Sequence, residues 1–88
     1  MDSAEALRVV RGFARANRIR LTAHADREAA ECGTSRPHIR CALVNATSIR
    51  ASGPDRASDW TVAGPDLDGD ELQIALIIED GLLIITVY

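Results

Sequence analysis

The chain has 88 residues, of which 47% are hydrophobic and only three are aromatic, and its net charge at neutral pH is −3. This length predicts a single domain, residues 1–88, with a mainly aliphatic core. The sequence contains no run of about 18 apolar residues that could span a membrane, and its acidic, amphipathic start does not have the form of a signal peptide. We therefore expect a cytoplasmic protein of bacterial type.

Charge is distributed unevenly along the chain. Residues 1–56 contain all ten basic side chains, every one of them arginine, and six acidic ones, a net charge of +4. Residues 57–88 contain seven acidic side chains and no basic one, a net charge of −7. The planar guanidinium group suits phosphate, but a general preference for arginine codons explains the same composition, so the asymmetry only weakly indicates nucleic acid binding.

The first helix is predicted over residues 1–17. Asp2 is a suitable N-cap, and Glu5 follows it by three residues. Val10 and Ala14 lie on an apolar stripe that faces the core. Arginines recur at steps of three or four residues and so share one side of the helix, either as a solvated face or as a phosphate-binding ridge: Arg8, Arg11, Arg15 and Arg18.

Two further helices are predicted within residues 22–46. Thr22 is a good N-cap and Gly33 a good residue to follow the end of the first of them. Ser35 precedes the second, whose first turn tolerates Pro37. A link of one or two residues predicts that the two helices pack together as a pair. The predicted inward positions are Ala25, Ala29 and Cys32 in the first, and Ile39, Ala42, Leu43 and Ala46 in the second.

The C-terminal residues 60–88 form three predicted strands joined by two hairpin turns. Asp68-Gly69 and Asp80-Gly81 each separate apolar runs, and such Asp-Gly pairs favour type I′ turns, in which both residues have positive φ. In the middle strand, Ile74 and Leu76 fall on one face of the sheet. The last strand is apolar on both faces, so it is covered on both or lies centrally beneath a helix.

Shorter extended segments complete the predicted fold. Residues 19–21 alternate in polarity before the second helix, and residues 48–51 form a possible short strand, followed by a loop over residues 52–59. The fold class is therefore α+β, with two to three N-terminal helices packed on a three- to four-stranded antiparallel β-meander.

Histidine and cysteine side chains do not predict a metal site or any other cofactor. His24 and Cys32 lie eight residues apart on one predicted helix, a separation of about 12 Å along its axis. Zinc ligands must converge at about 2.0–2.3 Å from one ion, so His24, Cys32, His38 and Cys41 are not expected to form a zinc site. The acidic residues 66–71 lack the spacing of a calcium loop and are predicted to be a hairpin turn.

Several short motifs occur in a recognisable order along residues 18–88. These are Leu21-Thr-Ala-His-Ala, Cys32-Gly-Thr-Ser35, Trp60-Thr-Val-Ala-Gly64, Asp68-Gly69 and Ile84-Ile-Thr-Val-Tyr88. Together they resemble the family named domain of unknown function 4258, which is akin to the MqsR and BrnT toxins. The resemblance implies a RelE-like ribonuclease fold, a metal-independent endoribonuclease of the mRNA interferase type, and a cognate antitoxin protein as partner.

The resemblance also directs attention to His24. The family usually has basic residues four and eight positions after this histidine, where the present chain has Glu28 and Cys32. Arg27 is the nearest substitute for the first of them. Metal-free RNA cleavage requires a general base, a cation for the phosphate and an acid for the leaving oxygen.

The predicted catalytic residues are therefore His24 as base, Arg27 as phosphate clamp, Tyr88 as acid or base-stacking platform, and Thr86 beside it on the last strand. A location in the first helical turn favours a neutral imidazole in His24. The alternative for each is a structural role, with His24 bonded locally and the two hydroxyl groups bonded to nearby backbone. The predicted binding residues are Arg8, Arg11, Arg15, Arg40 and Trp60.

A second hypothesis is a non-catalytic protein-interaction module on the same scaffold, either a decayed toxin or an adaptor. The acidic isoelectric point of about 5.2 favours it, because RNA-binding proteins usually carry a basic footprint. On either hypothesis, an RNA or an acidic protein segment is expected to dock on the arginine-bearing helices, around Arg8, Arg11, Arg15, Arg27 and Arg40.

Overall fold

A computed structural model of the protein describes residues 1–53 and 57–88. Within these ranges the chain forms three α-helices and five β-strands, so the predicted α+β class is confirmed. The predicted loop at residues 52–59 falls partly outside the described residues. In chain order the elements are α1 (Ser3–Arg15), β1 (Ile19–Leu21), α2 (Ala23–Glu31), α3 (Arg36–Val44), β2 (Ser48–Ala51), β3 (Trp60–Pro65), β4 (Glu71–Ile78) and β5 (Leu82–Val87).

All five strands belong to one mixed sheet with the order β1-β5-β4-β3-β2. Strands β2 to β5 pair antiparallel, as predicted, but β1 pairs parallel with β5. The predicted antiparallel meander therefore accounts for four of the five strands, and the prediction missed the parallel strand β1. The physical reason is that β5 has a second edge to satisfy: Leu82 N–H donates to the Arg18 carbonyl at 2.9 Å, and Thr22 N–H donates to the Ile84 carbonyl at 3.1 Å.

The helices cover one face of the sheet. Alternate residues of β4 and β5, including Ile74, Leu76, Leu82 and Ile84, form one buried cluster with apolar residues of the three helices. This confirms the predicted face of β4 and the central position of β5, which lies between β1 and β4 with α2 packed against it. On the opposite face, Ile77 lies outside that cluster and is half-buried, whereas the small side chain of Ala75 is buried.

The helix ends follow local capping signals. Asp2 Oδ1 accepts a hydrogen bond from Glu5 N–H at 2.8 Å, and Thr22 Oγ1 accepts one from Ala25 N–H at 3.1 Å. Both predicted N-caps are thereby confirmed. Gly33 follows α2 with a φ of 70°, which a residue without a Cβ adopts freely. Cys32 was predicted to face inward but is exposed, because it is the C-cap of α2 rather than part of its buried stripe.

Helix α3 packs on α1, whereas the sequence predicted that it pairs with α2. Arg11 of α1 donates through Nε and Nη2 to the Ala46 carbonyl, just beyond the end of α3. Arg40 of α3 donates through Nε to the Ala14 carbonyl and through Nη2 to the Arg15 carbonyl, both at 2.9 Å. Each of these helices thus supplies a guanidinium group to carbonyls at, or just beyond, the C-terminal end of the other.

Glycine at position 64 allows α3 to lie directly on β3. A Cβ at this position would overlap the Ala42 carbonyl oxygen and come within 2.9 Å of the Ala46 Cα. Both atoms belong to the backbone and cannot move independently of α3. The close approach of helix and strand therefore requires glycine here.

The two Asp-Gly turns differ. Asp80 and Gly81 both have positive φ, 48° and 117°, as predicted for a type I′ geometry. At the other turn only Gly69 has positive φ, and its N–H donates to the Asp66 carbonyl at 3.1 Å. The type I′ prediction for Asp68-Gly69 was wrong, because Asp66 Oδ1 accepts hydrogen bonds from the amides of Asp68 and Asp70 and so holds a wider turn.

Candidate functional site

His24 lies near the end of β5 and contacts the carboxylate of Glu28, which belongs to the same helix. It lies in the first turn of α2, with Nε2 3.2 Å from Glu28 Oε1, one turn further along the helix. The same Glu28 oxygen accepts a hydrogen bond from Val87 N–H at 3.4 Å. Strand β1 pairs with residues 82–84 of β5 only, so Glu28 takes the place of a neighbouring strand at Val87.

This arrangement orients an exposed imidazole. The His24 side chain is 59% exposed and that of Glu28 is 27% exposed. When Nε2 donates to the carboxylate, Nδ1 is the ring nitrogen left to accept a proton. Sequence reasoning treated Glu28 only as a departure from a family pattern. The i, i+4 spacing of His24 and Glu28 is the signal that could have identified the pair.

Arg27 does not share a basic surface with the other predicted arginines. It is exposed on α2, which also carries Asp26, Glu28 and Glu31, so the helix has a net charge of −2. Among the residues that the structure describes, Arg27 has no hydrogen-bond or ion-pair partner. The acidic surroundings reduce its attraction for phosphate.

Thr86 and Tyr88 are turned away from His24. Thr86 lies opposite Ala75 of β4, on the sheet face that the helices leave uncovered. Tyr88 N–H donates to the Gln73 carbonyl at 2.9 Å, and its side chain is exposed. Within residues 1–53 and 57–88, no hydrogen bond joins the side chain of Thr86 or Tyr88 to that of His24.

Tyr88 instead lines a small polar pocket over β2 and β3, with a volume of about 130 Å³. Arg50 and Thr61, which are paired residues of β2 and β3, form its floor. Ser52 Oγ lies 3.0 Å from Ser58 Oγ and 3.3 Å from Thr61 Oγ1. Three hydroxyl groups share these two bonds, so one O–H donor remains for another acceptor. Together with the Arg50 guanidinium group and the Tyr88 phenol, this O–H group forms a set of donors suited to a phosphate oxygen.

Sequence reasoning missed Arg50, Ser52, Ser58 and Thr61. Their side chains come together through the pairing of β2 with β3 and the bonds of Ser52 to Ser58 and Thr61. The only sequence signal was the alternation in residues 48–51, which places Arg50 on one face of a short strand. The pairing register that brings it beside Thr61 is not visible in the sequence.

The predicted binding residues have different environments. Arg8 and Arg15 are exposed, whereas the guanidinium groups of Arg11 and Arg40 are bonded to helix-end carbonyls. Trp60 is half-buried and packs against the core from the helix-covered side of the sheet. Arg11, Arg40 and Trp60 therefore have structural contacts, which sequence periodicity alone could not distinguish from binding roles.

One group of described side chains could hold a divalent cation. Ligand atoms of His38, Asp66 and Asp68 lie within 4.8 Å of one another. His38 Nδ1 accepts a hydrogen bond from Leu67 N–H at 3.3 Å and lies 3.6 Å from Asp66 Oδ2. These contacts already fasten the turn between β3 and β4 to α3, which is the role we assign to the group.

Comparisons of the chain with protein family models, with curated proteins and with solved structures give no match. In the described residues, no helix is both long enough and apolar enough to cross a membrane. The resemblance noted in the sequence therefore stays a prediction, and the geometry of the site must support any functional proposal.

Proposed function

We propose that this chain is a toxin-like, metal-independent RNA-cleaving domain of a toxin–antitoxin pair, with a RelE-like fold. The observation that supports it is the pocket in which Tyr88 meets Arg50 and a cluster of hydroxyl groups. A cation, hydroxyl donors and an aromatic ring at one place are what a single-stranded RNA needs for its phosphate and its base.

The proposed reaction uses the RNA's own 2′-hydroxyl group as nucleophile. The hydroxyl loses its proton to a base, its oxygen attacks the adjacent phosphorus, and the bond from phosphorus to the 5′ oxygen breaks. The 5′ oxygen takes up a proton, leaving a 2′,3′-cyclic phosphate. His24, oriented by Glu28, is the base at the scissile phosphate, and the 5′ oxygen takes its proton from solvent. Arg50 and Tyr88 lie on the opposite face of the sheet, so they do not act on that phosphate. Arg50 replaces Arg27 as a clamp, on a neighbouring phosphate, and Tyr88 stacks on a base of the same RNA strand, which crosses the end of β5.

The test is cleavage of a generic RNA by the purified chain, with and without ribosomes and with a chelator present. We expect His24→Ala to reduce the rate by about 10²–10⁴, and Arg50→Met to weaken RNA binding by about tenfold. Arg20→Met is the matched control, because Arg20 is an exposed arginine outside the pocket. Equal cleavage by the wild type, His24→Ala and Tyr88→Ala would exclude these roles.

A non-catalytic interaction module is the second candidate. The observation that favours it is the net charge of −2 on α2, the helix that carries His24 and Arg27, since this charge repels RNA. On this alternative, the pure chain cleaves no RNA and its overexpression does not arrest growth.

A further inference from the structure

Helix α3 has a second apolar stripe, which is only partly buried and touches the core through Val44 alone. Its core side is formed by residues such as Ile39 and Leu43, which are fully buried. On another side, Pro37, Cys41 and Val44 follow one another at steps of four and three residues, so they line one edge of the helix. They border a groove of about 470 Å³.

The groove is completed by the turn between β3 and β4. Leu67, at the tip of that turn, lines the groove and is 61% exposed, one of three large apolar side chains with such exposure among the described residues. The turn is fixed relative to α3, because Leu67 N–H donates to His38 Nδ1. The groove therefore has preformed apolar walls on both sides.

The α3 side of this groove is basic, whereas the turn on its other side carries Asp66 and Asp68 next to Leu67. Arg36 and Arg40 line it and stand one position before Pro37 and Cys41 on the helix, so they form a row beside the apolar stripe. Helix α3 contains no acidic residue, and α1 and α3 together contain five arginines and one acidic residue, a net charge of +4. The bonds of Arg40 to neutral carbonyls leave its charge uncompensated.

We propose that this groove binds an acidic amphipathic helix of a partner protein. Such a helix places apolar side chains against Pro37, Cys41, Val44 and Leu67, and aspartate or glutamate beside Arg36 and Arg40. The stripe from Pro37 to Val44 is about 10 Å long, which is two turns of a packed helix.

Other occupants fit the groove less well. The groove walls contain no aromatic side chain on which a nucleic acid base could stack. A second copy of the chain could offer its acidic helix α2, but the buried residues of α2 are only Ala25 and Ala29, and its exposed side carries no large apolar residue. The inference goes beyond the proposed function, because it uses neither His24 nor Tyr88 and holds whether or not the chain cleaves RNA.

The test is titration of the ¹⁵N-labelled chain with a designed 18-residue peptide helix that carries leucines at i, i+4 and i+7 flanked by glutamates. We expect amide shifts in α3, the end of α1 and the turn around Leu67. Arg36→Glu should weaken binding about fivefold, and Leu67→Asp about tenfold. Arg20→Glu makes the same charge change outside the groove and should alter affinity less than twofold.

Five outcomes overturn the proposal. The first two are equal binding of a peptide of the same composition in scrambled order, or of one with lysine in place of glutamate. The third is binding that is absent, or that maps to the sheet face. The fourth is self-association of the chain that Leu67→Asp abolishes. That result would assign the groove to a second copy. Circular dichroism of Arg36→Glu and Leu67→Asp confirms that a weakened variant is folded. Displacement of the peptide by a uridine oligonucleotide would assign the groove to RNA.

Discussion

Helices α1 and α3 cover the same face of the sheet as α2, but their net charge is opposite in sign to that of α2. All three bury small residues against the sheet, such as Ala14, Ala29 and Ala42. The net charge is +4 for α1 and α3 together and −2 for α2. Packing against a common core therefore does not impose a common surface chemistry.

The arginines show what this difference means. Arg11 and Arg40 lie where one helix passes the end of another, and their guanidinium groups bind carbonyls there. Arg27 lies in the middle of α2 and has no such carbonyl in the described part of the chain. Arginines on three different helices thus have different environments, so a position on the polar face of a helix does not by itself identify a phosphate-binding surface.

The largest expected loss of stability comes from a substitution that breaks the contact between α3 and the sheet. Gly64→Ala introduces a Cβ that overlaps the backbone of α3, so we expect the free energy of unfolding to fall by about 3 kcal/mol. Gly12→Ala is the control, since a Cβ at that position of α1 meets no atom within 4 Å beyond the adjacent backbone of its own helix. It should raise the free energy of unfolding by about 0.5–1 kcal/mol. Urea unfolding followed by circular dichroism measures both changes, and an unchanged Gly64→Ala midpoint would contradict the packing of α3 on β3.

An intermediate effect distinguishes the two kinds of arginine. Arg40→Met keeps the apolar stem but removes the bonds to Ala14 and Arg15, so we expect a loss of about 2 kcal/mol. Arg27→Met removes an equal charge from α2 and should change stability by less than about 0.5 kcal/mol. Equal losses in the two variants, measured by urea unfolding, would show that the bonds from α3 to α1 contribute nothing to stability.

Local signals predicted the helices, the hairpins and the faces of the strands. Caps such as Thr22 act within three residues, and the core positions of α3 follow from its periodicity. The parallel pairing of β1 with β5 was not predictable in this way, because it joins segments about 60 residues apart and rests on only three residues of strand. The packing of α3 on α1 was missed for the same reason, since it depends on contacts between distant residues.

The candidate site was predictable only in part. His24 could be singled out from the sequence, but its contact with Glu28 and the link to Val87 depend on how α2 lies along the end of β5. The pocket around Tyr88 depends on a register in which Arg50 lies opposite Thr61. Strand register is set by all the pairings of a sheet together, and a single strand's sequence does not encode it.

The smallest expected effect compares the starts of α2 and α3. Thr22 and Ser35 are both hydroxyl residues at an N-cap, but only Thr22 makes a side-chain capping bond, to Ala25 N–H at 3.1 Å. We expect Thr22→Ala to lower the free energy of unfolding by about 1 kcal/mol, since it leaves a helix-end amide without its partner. Ser35→Ala should change it by less than about 0.5 kcal/mol, because no capping bond is lost and Pro37 already favours helix initiation. Thermal unfolding of both variants at one pH and salt concentration provides the measurement. A larger loss for Ser35→Ala than for Thr22→Ala would mean that α3, rather than α2, depends on its N-cap side chain.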